Sequence, residues 1–327
     1  YAGLPLGIAF WVFSSLAFAL PYWLYKPITN RLPKHPAIAA LLATLITSGL
    51  STVLPPLGLI GWTSPWIGAI NEGWFGLVWV LLSILLIAYL AAKDNDASVP
   101  PLVILPALLL ALPFIGAFTL PRLYPPAGWT AISTHGGHLT AVSSIEESER
   151  IVPKVLSDLH QNKVVLLPET IAGYFGPGTK AIWRPVIQYS KTNSDKTVLL
   201  GAAVPHGVTL SDDLVAIHQG RLSYLPDRIP VPFSMWHPWH PNGSFAMRVL
   251  GKPEISTIAG VRAGYLICYE QLLIWPALSL IHQHIQVLLA PANDWWAQGT
   301  DIPAIQRVSA KAWGHLLGVP VLVAVNK

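Results

Sequence analysis

The hydrophobic pattern divides the chain into two parts of different character. Four long stretches before residue 121 are almost without charge, and each is close to the roughly 20 apolar residues that a membrane-spanning helix needs. Four such stretches favour spans over buried helices of a soluble protein. We therefore predict an N-terminal bundle of about four transmembrane helices, at residues 3–25, 37–54, 70–92 and 101–120.

The charge of the connecting segments predicts an orientation. The connection after the first stretch carries Lys26, Arg31 and Lys34 and no acid, so we expect it to be cytoplasmic. With four spans, everything after Arg122 would then face the periplasm. The prediction is a multi-pass protein of the bacterial inner membrane.

From about residue 130 the pattern becomes that of a layered α/β domain. Short apolar runs, typical of buried strands, alternate with longer amphipathic segments, typical of helices. Predicted strands lie at residues 130–133, 164–167, 197–204, 214–218, 263–268, 285–290 and 319–325, and predicted helices at 145–161, 270–283 and 302–317. This predicts two domains, residues 1–121 and 122–327. The chain begins at Tyr1 and ends just after an apolar run, so we expect further residues at both ends.

The amino-acid composition limits the classes of function that the protein can have. Charged residues are 11% and hydrophobic residues 53% of the 327 residues. The net charge of +4 is spread along the chain without a basic run, which argues against nucleic-acid binding. The single cysteine excludes an internal disulfide.

Two apolar strands end in reactive side chains. Glu169 follows the run 164–168, and Cys268 follows the run 263–267, where we expect a helix to begin. Reactive groups of α/β sheets gather at such strand ends, and a helix N-terminus would lower the pKa of the thiol. A carboxylate beside a thiol can accept its proton, which gives a nucleophile and a general base.

Motifs around these residues resemble those of the nitrilase (carbon–nitrogen hydrolase) superfamily, in particular its membrane branch, which includes the apolipoprotein N-acyltransferase and conjugal-transfer TraB families. The resemblance covers residues 130 to the chain end. It rests on Pro168-Glu169, Ile267-Cys268-Tyr269-Glu270, Asn293-Asp294-Trp295-Trp296, and the later Gln306, Ala310, Gly314 and Pro320 to Asn326.

The resemblance implies an αββα sandwich and a Glu-Lys-Cys triad. Glu169 would be the general base and Cys268 a nucleophile that forms a thioester. Arg228 is the nearest cation before Val231-Pro232-Phe233, where the family has its lysine, with Asp227 at the strict position. The supporting residues would be Tyr269, Glu270, Asn293 and Trp295.

The replaced lysine leaves three alternatives open. Arg228 has an electrostatic role, because arginine keeps its proton near neutral pH, or Lys180 or Lys252 folds into the site, or the site is inactive. A second departure is Met235, which stands where apolipoprotein acyltransferases have a glutamate and argues against standard lipoprotein acylation.

The sequence thus predicts an enzyme that hydrolyses or transfers an acyl group through a cysteine thioester, without metal or cofactor. The expected partners are a membrane lipid or a lipid-linked envelope substrate, and conjugation-apparatus proteins. The alternative is a catalytically impaired component of a conjugation or envelope assembly.

Overall fold

The computed structural model of the protein describes residues 123–232, 234–240, 242–248 and 252–327, together with scattered residues between 8 and 82. The chain divides into two compact units. One comprises Tyr1–Pro121 with Leu273–Trp275, and the other Arg122–Leu272 with Pro276–Lys327. The elements named below belong to the second unit, except that α4 begins within 273–275.

A five-stranded sheet holds the first half of the second unit. Its strands lie in the order β1-β2-β3-β4-β5, parallel from β1 to β3 and antiparallel from β3 to β5. The helices α1, α2 and α3 fall between β1 and β3 in the chain. The bounds are β1 Trp129–Ala131, α1 Ala141–Gln161, β2 Val164–Leu166, α2 Pro177–Ile182, α3 Arg184–Thr192, β3 Thr197–His206, β4 Thr209–His218 and β5 Arg221–Pro226.

A four-stranded sheet holds the second half. Its order is β6-β7-β8-β9, with β6 antiparallel to β7 and the other pairs parallel. The bounds are β6 Ile255–Ile258, β7 Val261–Tyr265, a 3-10 turn Cys268–Leu272, α4 Ile274–Leu278, β8 Val287–Asn293, a 3-10 turn Trp295–Ala297, α5 Ile302–Leu317 and β9 Val321–Asn326.

Alternation along the strands creates two cores. Val164 and Leu166 of β2 pack against residues of the second sheet such as Leu289, so one core lies between the sheets. Val165 of β2 points the other way and packs with Val155 of α1 in a second core. On the far side of the second sheet, Gly314 of α5 approaches Val321 of β9 closely. The layers are therefore helix, sheet, sheet, helix, as the predicted αββα sandwich requires.

The predicted N-terminal bundle of four transmembrane helices is corrected by the structure. Among the helices of the described residues, none is both long enough and apolar enough to cross a membrane. The 21-residue α1 has the length but carries charged residues such as Glu146, Arg150 and Lys154, whereas the more apolar α5 has only 16 residues. Most of the four apolar stretches lie outside the described residues.

Candidate active site

Strand ends bring together the groups of the site. Glu169 lies three residues after β2, and Cys268 lies three residues after β7. Asn293 and Asn326 are the last residues of the neighbouring strands β8 and β9. The side chains of Glu169 and Cys268 lie close enough to shift each other's pKa, so the predicted base lies beside the predicted nucleophile.

Cys268 lies in a strained turn at the start of the 3-10 segment. Its φ of 45° is in the left-handed region, which a residue with a side chain adopts only when its surroundings hold it there. Gln306 of α5 provides one such restraint, because its Nε2 donates to the Cys268 carbonyl oxygen at 3.0 Å.

The thiol is held in its protonated form. Only 7% of Cys268 is exposed. Burial raises the pKa of the Cys268 thiol well above its ordinary value, and the charge of Glu169 raises it further. The expected lowering by a helix N-terminus is therefore wrong: the turn is a five-residue 3-10 segment, and desolvation outweighs it.

Glu169 is buried in the same environment. Burial raises the pKa of Glu169, while hydrogen bonds with Asp212, Cys268 and the backbone N–H of Asn293 lower it. The backbone N–H of Asn293 also lowers the pKa of Cys268, so it contacts both members of the pair.

A glycine lets the Glu169 loop lie against the sheet. The loop is tied to β3, since Leu167 N–H donates to the Leu199 carbonyl at 2.9 Å and Ala172 N–H donates to the Gly201 carbonyl at 3.1 Å. A Cβ on Gly201 would collide with the backbone of Pro168 and Glu169. The bare backbone at Gly201 thus sets the position of the base.

Two asparagines support this loop from the second sheet. Asn293 Nδ2 donates to Thr170 Oγ1 at 2.7 Å, directly after Glu169. Asn326 Nδ2 donates to Asn293 Oδ1 at 2.9 Å and orients that amide. Asn293 therefore lies where it can hold the Glu169 loop, and its supporting role in the reaction stays a prediction; Asn326 belongs to the C-terminal part of the motif match.

Three further carboxyl groups surround the pair. Asp212 of β4 hydrogen bonds with Glu169, and Asp227, which follows β5, acts electrostatically on both Glu169 and Asp212. Burial raises the pKa of Asp212 and of Asp227 well above the ordinary value, and it raises the pKa of Asp294 to about 6. Sequence reasoning missed Asp212, although two adjacent aspartates inside a strand were a usable signal.

Arg228 lies in a different group of contacts. Its guanidinium forms an ion pair with Glu254 and donates from Nη2 to Ser279 Oγ at 2.9 Å. Burial raises the pKa of Glu254 to about 9 and also raises that of Glu270, and the charge of Arg228 opposes both rises. After burial, the groups that shift the pKa of Glu169 are Asp212, Cys268, Asp294 and the backbone of Asn293, and those that shift the pKa of Cys268 are Glu169, the backbone of Asn293 and Asp294. The structure thus pairs the Arg228 guanidinium with Glu254, and a catalytic role for Arg228 stays a prediction from the sequence.

Glu270 fixes the cysteine loop to its neighbour. It is fully buried and accepts three backbone N–H bonds, from Ile267 at 3.0 Å, Arg228 at 2.9 Å and Ile229 at 3.2 Å. These bonds join the turn at Cys268 to the segment after β5. Glu270 is therefore a structural support next to the site.

The remaining predicted residues lie near the site without a shown role. Tyr269 is buried, which raises its pKa to about 12. The Trp295 ring packs against His138 with 4.4 Å between centroids. Lys180 and Lys252, the alternative lysines, are both exposed. Lys180 instead lies over the Phe175 ring, with its Nζ 5.5 Å from the ring centroid.

Comparison with known proteins gives sequence relatives along the whole chain. The conjugal transfer protein TraB of Agrobacterium fabrum is 28% identical over 341 residues, which cover 98% of this chain and 76% of the relative. The probable conjugal transfer protein TraB of Sinorhizobium fredii is 29% identical over 352 residues, covering 99% and 84%. The chain is similar to TraB proteins. The predicted resemblance to them is confirmed, although no known protein-family model matches the chain.

Solved structures with a similar arrangement include amidases. A mutant of the Nesterenkonia AN1 amidase, described as a member of the nitrilase superfamily, is 11% identical, with a TM-score of 0.44 over 63% of this chain and 79% of that one. An amidase from Nesterenkonia sp. is 10% identical, with a TM-score of 0.43 over 62% and 79%. The fold description above stands on the sheet order and the packing of this chain.

Proposed function

We propose that the protein is a cysteine-dependent acyl hydrolase or acyl transferase that serves conjugal transfer. The observation that carries the chemistry is the buried juxtaposition of the Glu169 carboxyl and the Cys268 thiol after neighbouring strand ends. The link to conjugation comes from the names of the relatives.

The reaction runs through a thioester. Glu169 accepts the thiol proton while Cys268 Sγ bonds to the carbonyl carbon of the substrate. The bond from that carbon to the leaving nitrogen or oxygen then breaks, and Glu169 returns the proton to the leaving atom. In the second half, water or an amine attacks the thioester, Glu169 accepts its proton, and Sγ leaves and is reprotonated.

An activated ester tests this scheme on the full chain. With p-nitrophenyl acetate, we expect an acyl adduct on the wild-type protein by intact mass, followed by steady release of p-nitrophenol. Cys268→Ala should form no adduct. Glu169→Gln should still be acylated but should keep the acyl group, because loss of a general base slows the water step by about a hundredfold or more.

A surface glutamate provides the control. Glu149 is exposed on α1, and Glu149→Gln should turn over the ester like the wild type. Wild-type protein that forms no adduct would contradict the enzyme assignment, as would turnover by Glu169→Gln at the wild-type rate. The first result would favour the rival function, a non-catalytic component of a conjugation assembly, for which Cys268→Ala donor cells should transfer plasmid at the normal frequency.

The lipid-linked substrate, the conjugation partners and the inner-membrane location remain predictions from the sequence. The ester assay does not depend on them, because its small acyl group tests only the Glu169–Cys268 pair.

A further inference from the structure

Asp212 and Asp227 form a buried acidic wall beside the nucleophile. They are neighbours across the end of the first sheet, since Asp227 N–H donates to the Asp212 carbonyl at 2.7 Å. Asp212 also hydrogen bonds with Glu169, which in turn contacts Cys268. Each aspartate is only 2% exposed. Both carboxyl groups therefore belong to the surroundings of the reacting sulfur.

These carboxyl groups lack partners that the fold provides elsewhere. Within the described residues, Oδ1 of Asp212, Oδ1 of Asp227 and Oε2 of Glu169 have no hydrogen-bond partner. Glu270 is equally buried, yet it accepts three backbone N–H bonds. Buried acceptors without donors are rare in folded proteins because each costs free energy. The contrast shows that the described residues supply no donor to these three oxygens, which leaves them able to accept from a bound molecule.

Two cations lie around the wall. Arg248 is exposed; its charge opposes the rise that burial causes in the pKa of Asp227, and its guanidinium donates to the main-chain oxygen of that residue. Arg228 is paired with Glu254. A substituted ammonium offers several N–H donors and a positive charge, which suits such carboxyl acceptors.

We propose that the substrate carries a positively charged amine, which binds to Asp212 and Asp227 while its acyl carbon lies at Cys268. The charged nitrogen is not the leaving atom, so it keeps its protons through the thioester steps described above. This inference names the substrate class of the proposed enzyme and rests on that proposed function. It would explain why a protein keeps unpartnered carboxyl groups beside a nucleophile.

Charged thiol reagents test the acidic wall without relying on acyl chemistry. Cys268 is the single thiol of the chain, so its modification by 2-aminoethyl and by 2-sulfonatoethyl methanethiosulfonate is followed by intact mass. The ratio of the two rates, divided by the same ratio for free cysteine, cancels the intrinsic reactivity of the thiol. Burial keeps the two carboxyl groups protonated to a higher pH than usual, so we expect the preference for the cationic reagent to grow as the pH rises and to reach about tenfold once they are ionised.

Matched substitutions locate the effect. Asp212→Asn, Asp227→Asn and the double variant should lower the preference towards that of free cysteine. Asp301 is an exposed aspartate outside the site, and Asp301→Asn removes the same charge but should keep the preference. Thermal denaturation of each variant shows that it is folded. A preference that survives the double substitution would overturn the proposal, as would a wild-type thiol that reacts with neither reagent.

Protection by a small amine tests binding itself. We expect n-butylammonium, but not n-butanol, to slow modification of Cys268 by the neutral methyl methanethiosulfonate, and the double variant to lose this protection. Equal effects of the amine and the alcohol on the wild type would overturn the proposal. A cationic preference with amine protection, in a protein that forms no acyl adduct, would support the cation site while contradicting the proposed acyl chemistry.

Discussion

The negative charge of the Glu169 carboxyl disfavours a negative charge on the sulfur of Cys268. Burial raises the pKa of both groups, and the charge of Glu169 further raises the pKa of Cys268. The resting pair therefore keeps a proton on sulfur, although thiolate is the nucleophilic form. Activation must accompany substrate binding, when Glu169 accepts the thiol proton and the sulfur attacks.

This opposition predicts the pH dependence of Cys268 alkylation. Glu169→Gln removes the negative charge that raises the thiol pKa, so the thiolate should form at lower pH than in the wild type, although burial still keeps its pKa high. The rate of modification by iodoacetamide should then begin to rise at a lower pH, and at any pH below the thiol pKa it should exceed the wild-type rate. The rate is measured between about pH 6 and 10, a range that includes the ordinary cysteine pKa, and the displacement of the profile gives the shift in the thiol pKa.

The exposed Glu149 again offers the comparison. Glu149→Gln should leave the alkylation profile in place, because the side chain lies on the surface of α1. A profile that moves to higher pH in Glu169→Gln would show that the carboxyl stabilises the thiolate. That result would contradict the electrostatic description of the pair.

At the scale of helices and strands, the predicted bounds were accurate where apolar residues recur regularly along the sequence. The helix expected at 302–317 has the bounds of α5, Ile302–Leu317, because its apolar spacing is regular and Gly318 adopts a left-handed φ of 69° that ends the helix. The buried apolar runs at β2, β3, β8 and β9 also gave strands within a few residues. Each of these elements packs against a hydrophobic core, so its buried positions are apolar and form a clear pattern in the sequence.

Weak patterns were missed for physical reasons. Strand β5 lies at the edge of its sheet and is largely exposed, so it shows no clear apolar alternation. Helices α2 and α3 are short, and each has a proline in its first turn. The helix expected at 270–283 is instead a 3-10 turn followed by α4, which has only five residues.

Gly201 is the element-scale feature on which the site depends most directly. Gly201→Ala would drive a methyl group into the backbone of Pro168 and Glu169, where no flexible side chain can move aside. We expect a loss of about 2–3 kcal/mol in the free energy of unfolding, as is typical of overpacking. Ester turnover should fall as well, because Glu169 is displaced from Cys268.

Gly178 provides a matched glycine on α2. A Cβ there meets no atom within 4 Å, and its φ is ordinary. Gly178→Ala should therefore leave ester turnover unchanged and should not lower stability in urea denaturation. If Gly201→Ala were as stable and as active as Gly178→Ala, the close approach of β3 to the Glu169 loop would not position the base.

At the scale of the whole molecule, the sequence predicted the pair but not its surroundings. Glu169 and Cys268 could be found because each ends an apolar strand. Asp212 lies in β4 and Asp227 directly follows β5, and the pairing of β3 with β4 and of β4 with β5 brings them to the part of the sheet where Glu169 lies. Arg228 directly follows Asp227, yet its side chain pairs with Glu254. The spacing in the sequence identified Arg228 as the cation nearest to Val231-Pro232-Phe233, but it could not show where the Arg228 side chain points.

Asn326 joins distant parts of the sandwich. Its Oδ1 accepts from Thr134 Oγ1 at 2.8 Å and from Gly136 N–H at 2.9 Å, in the segment after β1. Its Nδ2 donates to the Gly137 carbonyl at 3.0 Å and to Asn293 Oδ1 at 2.9 Å. One buried amide at the end of β9 therefore connects the first sheet with the strand ends that hold the site.

We expect Asn326→Ala to cost about 3 kcal/mol in the free energy of unfolding, because it leaves several buried polar groups without partners. It should also slow ester turnover, since Asn293 loses the amide that orients it towards the Glu169 loop. Asn242 is exposed, so Asn242→Ala should change neither quantity in urea denaturation and turnover assays. A variant at Asn326 that loses stability but turns over ester at the wild-type rate would show that this network holds the sheets together without positioning Glu169.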